Sequence, residues 1–217
     1  MIKAEIVELS GSALNRDVKG ALIETPGLLT AVEAEGYAPL QAAEAITNTL
    51  LDKTRAIFSQ MLRFDQDEVK NGAGKTITAV NLTLTNMQKE IPYLVAGFYS
   101  LCVVDRETGQ GCVICTGESG IMLHAGRWIL LGQEGNDNIL TEALGHSSKP
   151  KLYPITVDSD GLLLLSSGII KRKDSEWRNA IESAQSSETR LMLLRDSIKS
   201  ETAEVIISIA GGGEHGN

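Results

Sequence analysis

Residues 158 to 170, Asp-Ser-Asp-Gly-Leu-Leu-Leu-Leu-Ser-Ser-Gly-Ile-Ile, feed an apolar run into a small-residue turn. Hydrolases often seat a metal-binding acid at the end of such a run, but this turn carries Ser167. Ser166-Ser167-Gly168 lacks the G-x-S-x-G elbow of a serine nucleophile and an identifiable base, so small turn residues are the simpler reading. Gly72-Ala73-Gly74-Lys75-Thr76 looks like the end of a phosphate-binding P-loop, yet Val69 stands where its first glycine belongs, and no buried strand precedes it. A flexible loop is the favoured reading. Cys112 and Cys115 form a C-x-x-C in β-favouring surroundings; three residues apart on a strand, their thiols face opposite sides. No second pair completes a zinc site, so core cysteines are expected. His124, His146 and His215 are scattered, with no partner at a recognisable spacing, and Trp128 and Trp177 read as packing anchors. Lys171-Arg172-Lys173-Asp174 reads as a solvated helix start or part of a partner surface.

The elements that must position these residues follow from periodicity. Ile2-Ala4-Ile6 with Val7-Leu9 suits a strand, and Leu28 to Val32 a buried one, with a turn-rich stretch over 10–20 between them. Ala42, Ile46, Leu50, Ile57 and Met61 share one helical face, which predicts an amphipathic helix from Pro39 to Arg63. Asp65 to Lys75 is polar and glycine-bearing and is assigned to a mobile loop. Ile77, Val80, Leu84, Met87 and Ile91 step by three and four and predict a second helix, despite many β-favouring Thr and Val. Strand-like pieces at 97–104, 111–116, 121–124 and 128–131 read as an antiparallel meander, and 152–157 and 162–165 add two strands. Asp174 can cap a helix through Trp177 and Ile181, Leu191, Leu194 and Ile198 mark another, and Val205 to Ile209 is the last strand. Strand groups alternating with helix pairs give an α+β layered sandwich.

At 217 residues the chain can bury a core without staples, and it reads as one domain over 1–210 with a flexible tail over 211–217. The formal charge of −8 and the lack of any four-residue basic run argue against nucleic acid or an anionic membrane as partners. Three cysteines are no secreted disulfide framework, and no apolar run approaches the ~18 residues of a membrane span, so a cytoplasmic protein is expected.

The order of elements, and six motifs in that order, resemble the metal-dependent protein phosphatases of type 2C over nearly the whole chain. Asn15-Arg16-Asp17 looks like the family's N-E-D, Val32-Glu33-Ala34-Glu35-Gly36 like V-x-A-D-G, and Gly117-Glu118-Ser119-Gly120 like G-D-S-R. Leu140-Thr141-Glu142-Ala143-Leu144-Gly145 matches L-T-x-A-L-G, Ser166-Ser167-Gly168 resembles S-D-G, and Glu201 to Val205 resembles D-N-x-T-V. The resemblance implies a four-layer α-β-β-α sandwich of two antiparallel sheets flanked by helices. It also implies a pair of divalent ions whose bridging water attacks phosphoserine or phosphothreonine. Carried over by position, the metal ligands are Asp17, Glu35, Glu201 and the carbonyl of Gly36.

The departures fall on the site. Arg16 replaces the glutamate of N-E-D, Ser167 replaces the aspartate of S-D-G, and Ser12 stands where the family has its phosphate-gripping arginine. Glu35 and Glu201 are a methylene longer than aspartate, enough to displace an oxygen that Mg²⁺ wants at about 2.1 Å. Unit charges ~4 Å apart interact by ~4 kcal/mol at an effective dielectric of ~20, so an inward Arg16 opposes a divalent ion by about twice that. The leading expectation is an arginine–carboxylate cluster, built with Asp17, Glu35 or Glu201, in place of the metals; the plainer one is a solvated Arg16 beside a polar cleft. The expected function is that of a pseudophosphatase, a regulatory or protein-binding module with no or weak Mg²⁺/Mn²⁺ binding. Its partner is a protein, with a phosphoprotein among the possible ones. The alternative is an active phosphatase with a non-standard ligand set.

Overall fold

The structure, a computed structural model, describes residues 2–9, 15–91, 95–116, 120–124, 127–131, 143–145, 150–157, 162–165, 179 and 204–211. Among the described residues, ten strands and two helices follow in the order β1 (Ile2–Leu9), β2 (Arg16–Glu24), β3 (Leu28–Tyr37), α1 (Leu40–Phe58), α2 (Gln66–Glu90), β4 (Ala96–Asp105), β5 (Gln110–Cys115), β6 (Gly120–His124), β7 (Arg127–Leu131), β8 (Lys151–Thr156), β9 (Leu162–Leu165) and β10 (Glu204–Gly211). They build two five-stranded sheets, ordered β1-β10-β9-β6-β7 and β2-β3-β4-β5-β8. Every neighbouring pair is antiparallel.

The second sheet packs against α1 and α2 on one face and against the first sheet on the other, and its strands alternate between these two apolar surfaces. Val32 and Ala34 of β3 pack with Ile46, Leu50 and Phe58 of α1 and Val80 and Leu84 of α2. Leu29 and Ala31, one residue out of phase, pack with Ile2 of β1 and Ile207 and Ile209 of β10 in the other sheet. β3 is covered on both faces, so nine of its ten residues are buried. The same alternation sends Cys112 into the helix-side core and Cys115 into the inter-sheet core. Both thiols are buried, and burial pushes that of Cys112 up to about 12.

The architecture is the expected α+β arrangement of two antiparallel sheets with helices, and the helix over 77–91 is present. Four local expectations are corrected. Asp65 to Lys75 is not a loop: Asp65 is the N-cap of α2, its carboxylate accepting from the backbone N–H of Asp67 and Glu68, both at 2.9 Å. The buried stripe Val69, Gly72, Ala73, Thr76, Ile77, Val80, Leu84 carries the 3–4 rhythm back through that segment. Gly72 is therefore no phosphate loop. A Cβ there would lie 3.0 Å from Ile57 and 3.1 Å from Phe58, so the glycine lets α2 approach α1. Residues 16–20 belong to strand β2, whose edge position and half-exposed residues conceal an apolar run. The meander is divided between the sheets, because β4 and β5 pair in one while β6 and β7 pair in the other. Gly211, assigned to the tail, closes β10 opposite Ile2.

Asn179 is helical, and the rest of the two helices expected after Asp174 lies outside the described residues. No helix among the described residues is long and apolar enough to cross a membrane. The segment 143–145 docks at the end of β4: Leu144 exchanges backbone hydrogen bonds with Gly97, at 2.7 and 3.3 Å. Gly145, at φ 87°, donates its N–H to Asn81 of α2 at 2.9 Å, and its carbonyl accepts from Gln88 at 3.2 Å.

Removing the cap of α2 strands two backbone donors, so Asp65→Ala is expected to lower stability by about 1 kcal/mol in urea unfolding with an unchanged m-value.

Candidate functional site

The edge strand β2 and the buried strand β3 pair so that Arg16 stands opposite Tyr37, Asp17 opposite Gly36, Val18 opposite Glu35 and Gly20 opposite Glu33. Strand alternation then decides which side chains can meet. Val18 and Leu22 of β2 pack in the inter-sheet core, whereas Ala21 and Ile23 pack toward the helices. Arg16 shares the phase of Val18, and Glu33, Glu35 and Tyr37 share that of Leu29 and Ala31. These four face the space between the sheets, and Asp17 faces the helices.

On the inter-sheet face Arg16 donates through Nε to Oε1 of Glu35. Its guanidinium carbon sits 5.8 Å from the centre of the Tyr37 ring. That ring meets Phe98 of β4 edge to face, with centroids 5.7 Å apart. Glu33 and Glu35 are 3% and 2% exposed, and the Arg16 side chain is 15% exposed. Burial opposes the charge on Arg16, but the Glu35 carboxylate outweighs it through its charge and hydrogen bond, with further help from Tyr37 and Glu33, and the net shift is upward. Burial also raises the Tyr37 phenol, and the neighbouring Glu35 charge raises it further. Arg16 is therefore not the solvated surface residue of the plainer expectation.

On the helix face the Thr47 hydroxyl of α1 donates to Oδ2 of Asp17. Lys19 reaches the same oxygen at 3.4 Å and donates to Asn48 Oδ1 at 2.9 Å. Asp17 thus fastens the edge strand to α1. Gly36 is explained by packing: a Cβ there would collide with the carbonyl of Ala43, so only glycine lets the first turn of α1 sit on β3.

Of the residues singled out in the sequence, the structure joins Arg16 with Glu35 and separates both from Asp17; Ser12, Ser167 and Glu201 lie outside the described residues. Sequence reasoning missed Glu33, Tyr37 and Thr47. Glu33 and Tyr37 were signalled by their parity with Glu35 on one strand; nothing local marks Thr47.

No protein-family model matches the chain, and no curated protein sequence matches it. Solved structures do. A serine/threonine phosphatase from S. agalactiae superposes with a TM-score of 0.77 at 9% identity, over 97% of this chain and all (100%) of that one. The phosphatase Stp1 from Staphylococcus aureus gives a TM-score of 0.75 at 16% identity, covering 98% and 96% of the two chains. The catalytic domain of PstP, solved with two manganese ions, gives 0.71 at 12% identity, covering 96% and 97%. The chain has the type 2C phosphatase fold.

That fold implies divalent ions, and the described residues do not fit them. A guanidinium lies on the carboxylate of Glu35, where an ion would need free oxygens. Asp17 is committed to Thr47 and Lys19 on the other side of the sheet. Among the described residues, no group of three or more His, Cys, Asp or Glu side chains is placed to hold a metal.

Because the Gly36 contact is with backbone, neither partner can yield cheaply. Gly36→Ala is expected to cost about 1–3 kcal/mol in urea unfolding. A change within ~0.5 kcal/mol would show that α1 is not held this closely.

Proposed function

We propose that this chain is a catalytically impaired domain of the type 2C phosphatase fold that acts as a regulatory, protein-binding module. The observation that supports the reading is the Arg16–Glu35 pair, which sets a fixed positive charge on a carboxylate that the resemblance would assign to a metal. A cation so placed opposes a divalent ion by several kcal/mol at an effective dielectric of ~20. The helix-side anchoring of Asp17 withdraws a second ligand. With no metal there is no activated water, and what the fold retains is surface. The partner is a protein, a phosphoprotein being one form, and the net charge of −8 disfavours polyanions. Three free, buried cysteines accord with a cytoplasmic location.

A second reading, an active serine/threonine phosphatase with a non-standard ligand set, draws on a similar structure: the PstP domain was solved with two manganese ions. One pair of measurements separates the two. Titration calorimetry with Mn²⁺ is expected to show no tight site, and a phosphoserine peptide is expected to be hydrolysed no faster with Mn²⁺ than with chelator. Metal-dependent turnover that disappears in Glu35→Ala would establish the second reading instead.

A further inference from the structure

The outward face of α2 carries a glycine that packing within the chain does not explain. Gly74 is exposed in the helix interior, and a Cβ built on it would meet nothing within 4 Å. Glycine is among the poorest helix formers, and here, unlike at Gly72, no close approach calls for one. On the same face Leu82 is 66% exposed. A lone exposed leucine is ordinary on a protein surface, but this one is matched by position to a notch. Thr78 lies midway between Gly74 and Leu82, midway between Asn71 and Thr85, and midway between Asp67 and Lys89. All of these residues are exposed, and steps of three and four keep them on one stripe.

We propose that this face of α2 binds the same face of a second copy of the chain, the two helices running antiparallel across a two-fold axis at Thr78. A stripe symmetric about its middle residue is what an isologous contact needs, since each pairing then occurs twice. Leu82 of each copy enters the notch over Gly74 of the other, and Asn71 lies against Thr85. Charge complementarity selects the antiparallel sense, because the acidic first turn, with Asp67 and Glu68, meets the basic last turn at Lys89. A parallel pair would set like ends together. The flanks bring no like charges face to face: Glu68 falls opposite Gln88, Lys70 opposite Asn86 and Lys75 opposite Asn81. The hydroxyls of Thr78 and Thr85 donate within the helix, to the carbonyls of Gly74 and Asn81 at 2.8 Å each, so covering them strands no donor. The net charge of −8 repels a second copy at long range, and the complementary helix ends offset that repulsion at contact. This face is separate from the inter-sheet site on which the proposed function rests, so either can fail alone.

The test is sedimentation equilibrium of the full chain over a concentration series. A monomer–dimer equilibrium with Kd on the order of 10–100 μM is expected, since one helix per copy makes a small interface. Leu82→Asp and Gly74→Gln are each expected to weaken it at least about tenfold, because the axis applies every change twice. Gly74→Gln is also expected to raise the Tm of the monomer, as glutamine is the better helix former and has open space there, so its loss of dimer cannot be misfolding. Asp67→Lys is expected to weaken the dimer, and adding Lys89→Asp to restore it. The three native cysteines are buried, which makes Thr78→Cys an addressable thiol on the proposed axis. Mild oxidation is expected to link Thr78→Cys into a disulfide dimer and to leave Asn71→Cys, which is off the axis, as monomer. A chain that stays monomeric, a dimer indifferent to both Leu82→Asp and Gly74→Gln, or equal cross-linking of the two cysteine variants would overturn the proposal.

Discussion

A guanidinium enclosed between two β-sheets must find its negative charge there, and that requirement organises the site end of this molecule. Removing an unpaired charge from water costs several kcal/mol even after relaxation, and the Glu35 carboxylate that accepts from Arg16 offsets that cost. Pairing in turn demands alignment. The guanidinium and the Glu35 carboxylate meet only if β2 and β3 keep the register that sets Arg16 opposite Tyr37. The aromatic contact from Tyr37 to Phe98 carries that alignment one strand further, into β4.

The opposite face of the same strands is fixed by shape rather than charge. Gly36 admits the first turn of α1, and Thr47 then reaches Asp17 from the helix. Gly97, beside Gly36 in the ladder, is the backbone partner of Leu144, whose neighbour Gly145 is tied to α2 through Asn81 and Gln88. The two helices and the 143–145 segment thus converge on the strand ends that carry Arg16 and Glu35. A charged pair needs such a rigid surround, because its attraction falls quickly once water or motion enters.

How much of this could be read in the sequence follows from what each signal reports. Helical periodicity reports burial against one partner surface, and it revealed the helix over 77–91 even though its Thr and Val favour strands. It was lost over 66–75 because Gly72 occupies a buried position without looking apolar. Order and spacing of six weak motifs carried the fold, since a fold constrains the whole chain. The site was less legible because chemistry depends on strand phase, which adjacent letters such as Arg16 and Asp17 do not reveal. Grouping Asp17 with Glu35 treated neighbours in a motif as neighbours in space; β2 places them on opposite faces.

That phase is also why the charge arrangement resists small adjustment. For Asp17 to enter the inter-sheet space, β2 would have to slip by one residue, and a slip of one turns every side chain of the strand to the other face. Arg16 would leave the Glu35 carboxylate, Lys19 would turn to the inter-sheet face, and Ala21 and Ile23 would withdraw from the core under the helices. Burial of each such apolar side chain is worth on the order of 1–3 kcal/mol, so the slip gives up packing on one face and charge pairing on the other. The sheet therefore selects Arg16, not Asp17, as the residue presented between the layers. A fold shared with phosphatases can host different work, because what the inter-sheet space does depends on which charges the strands deliver to it.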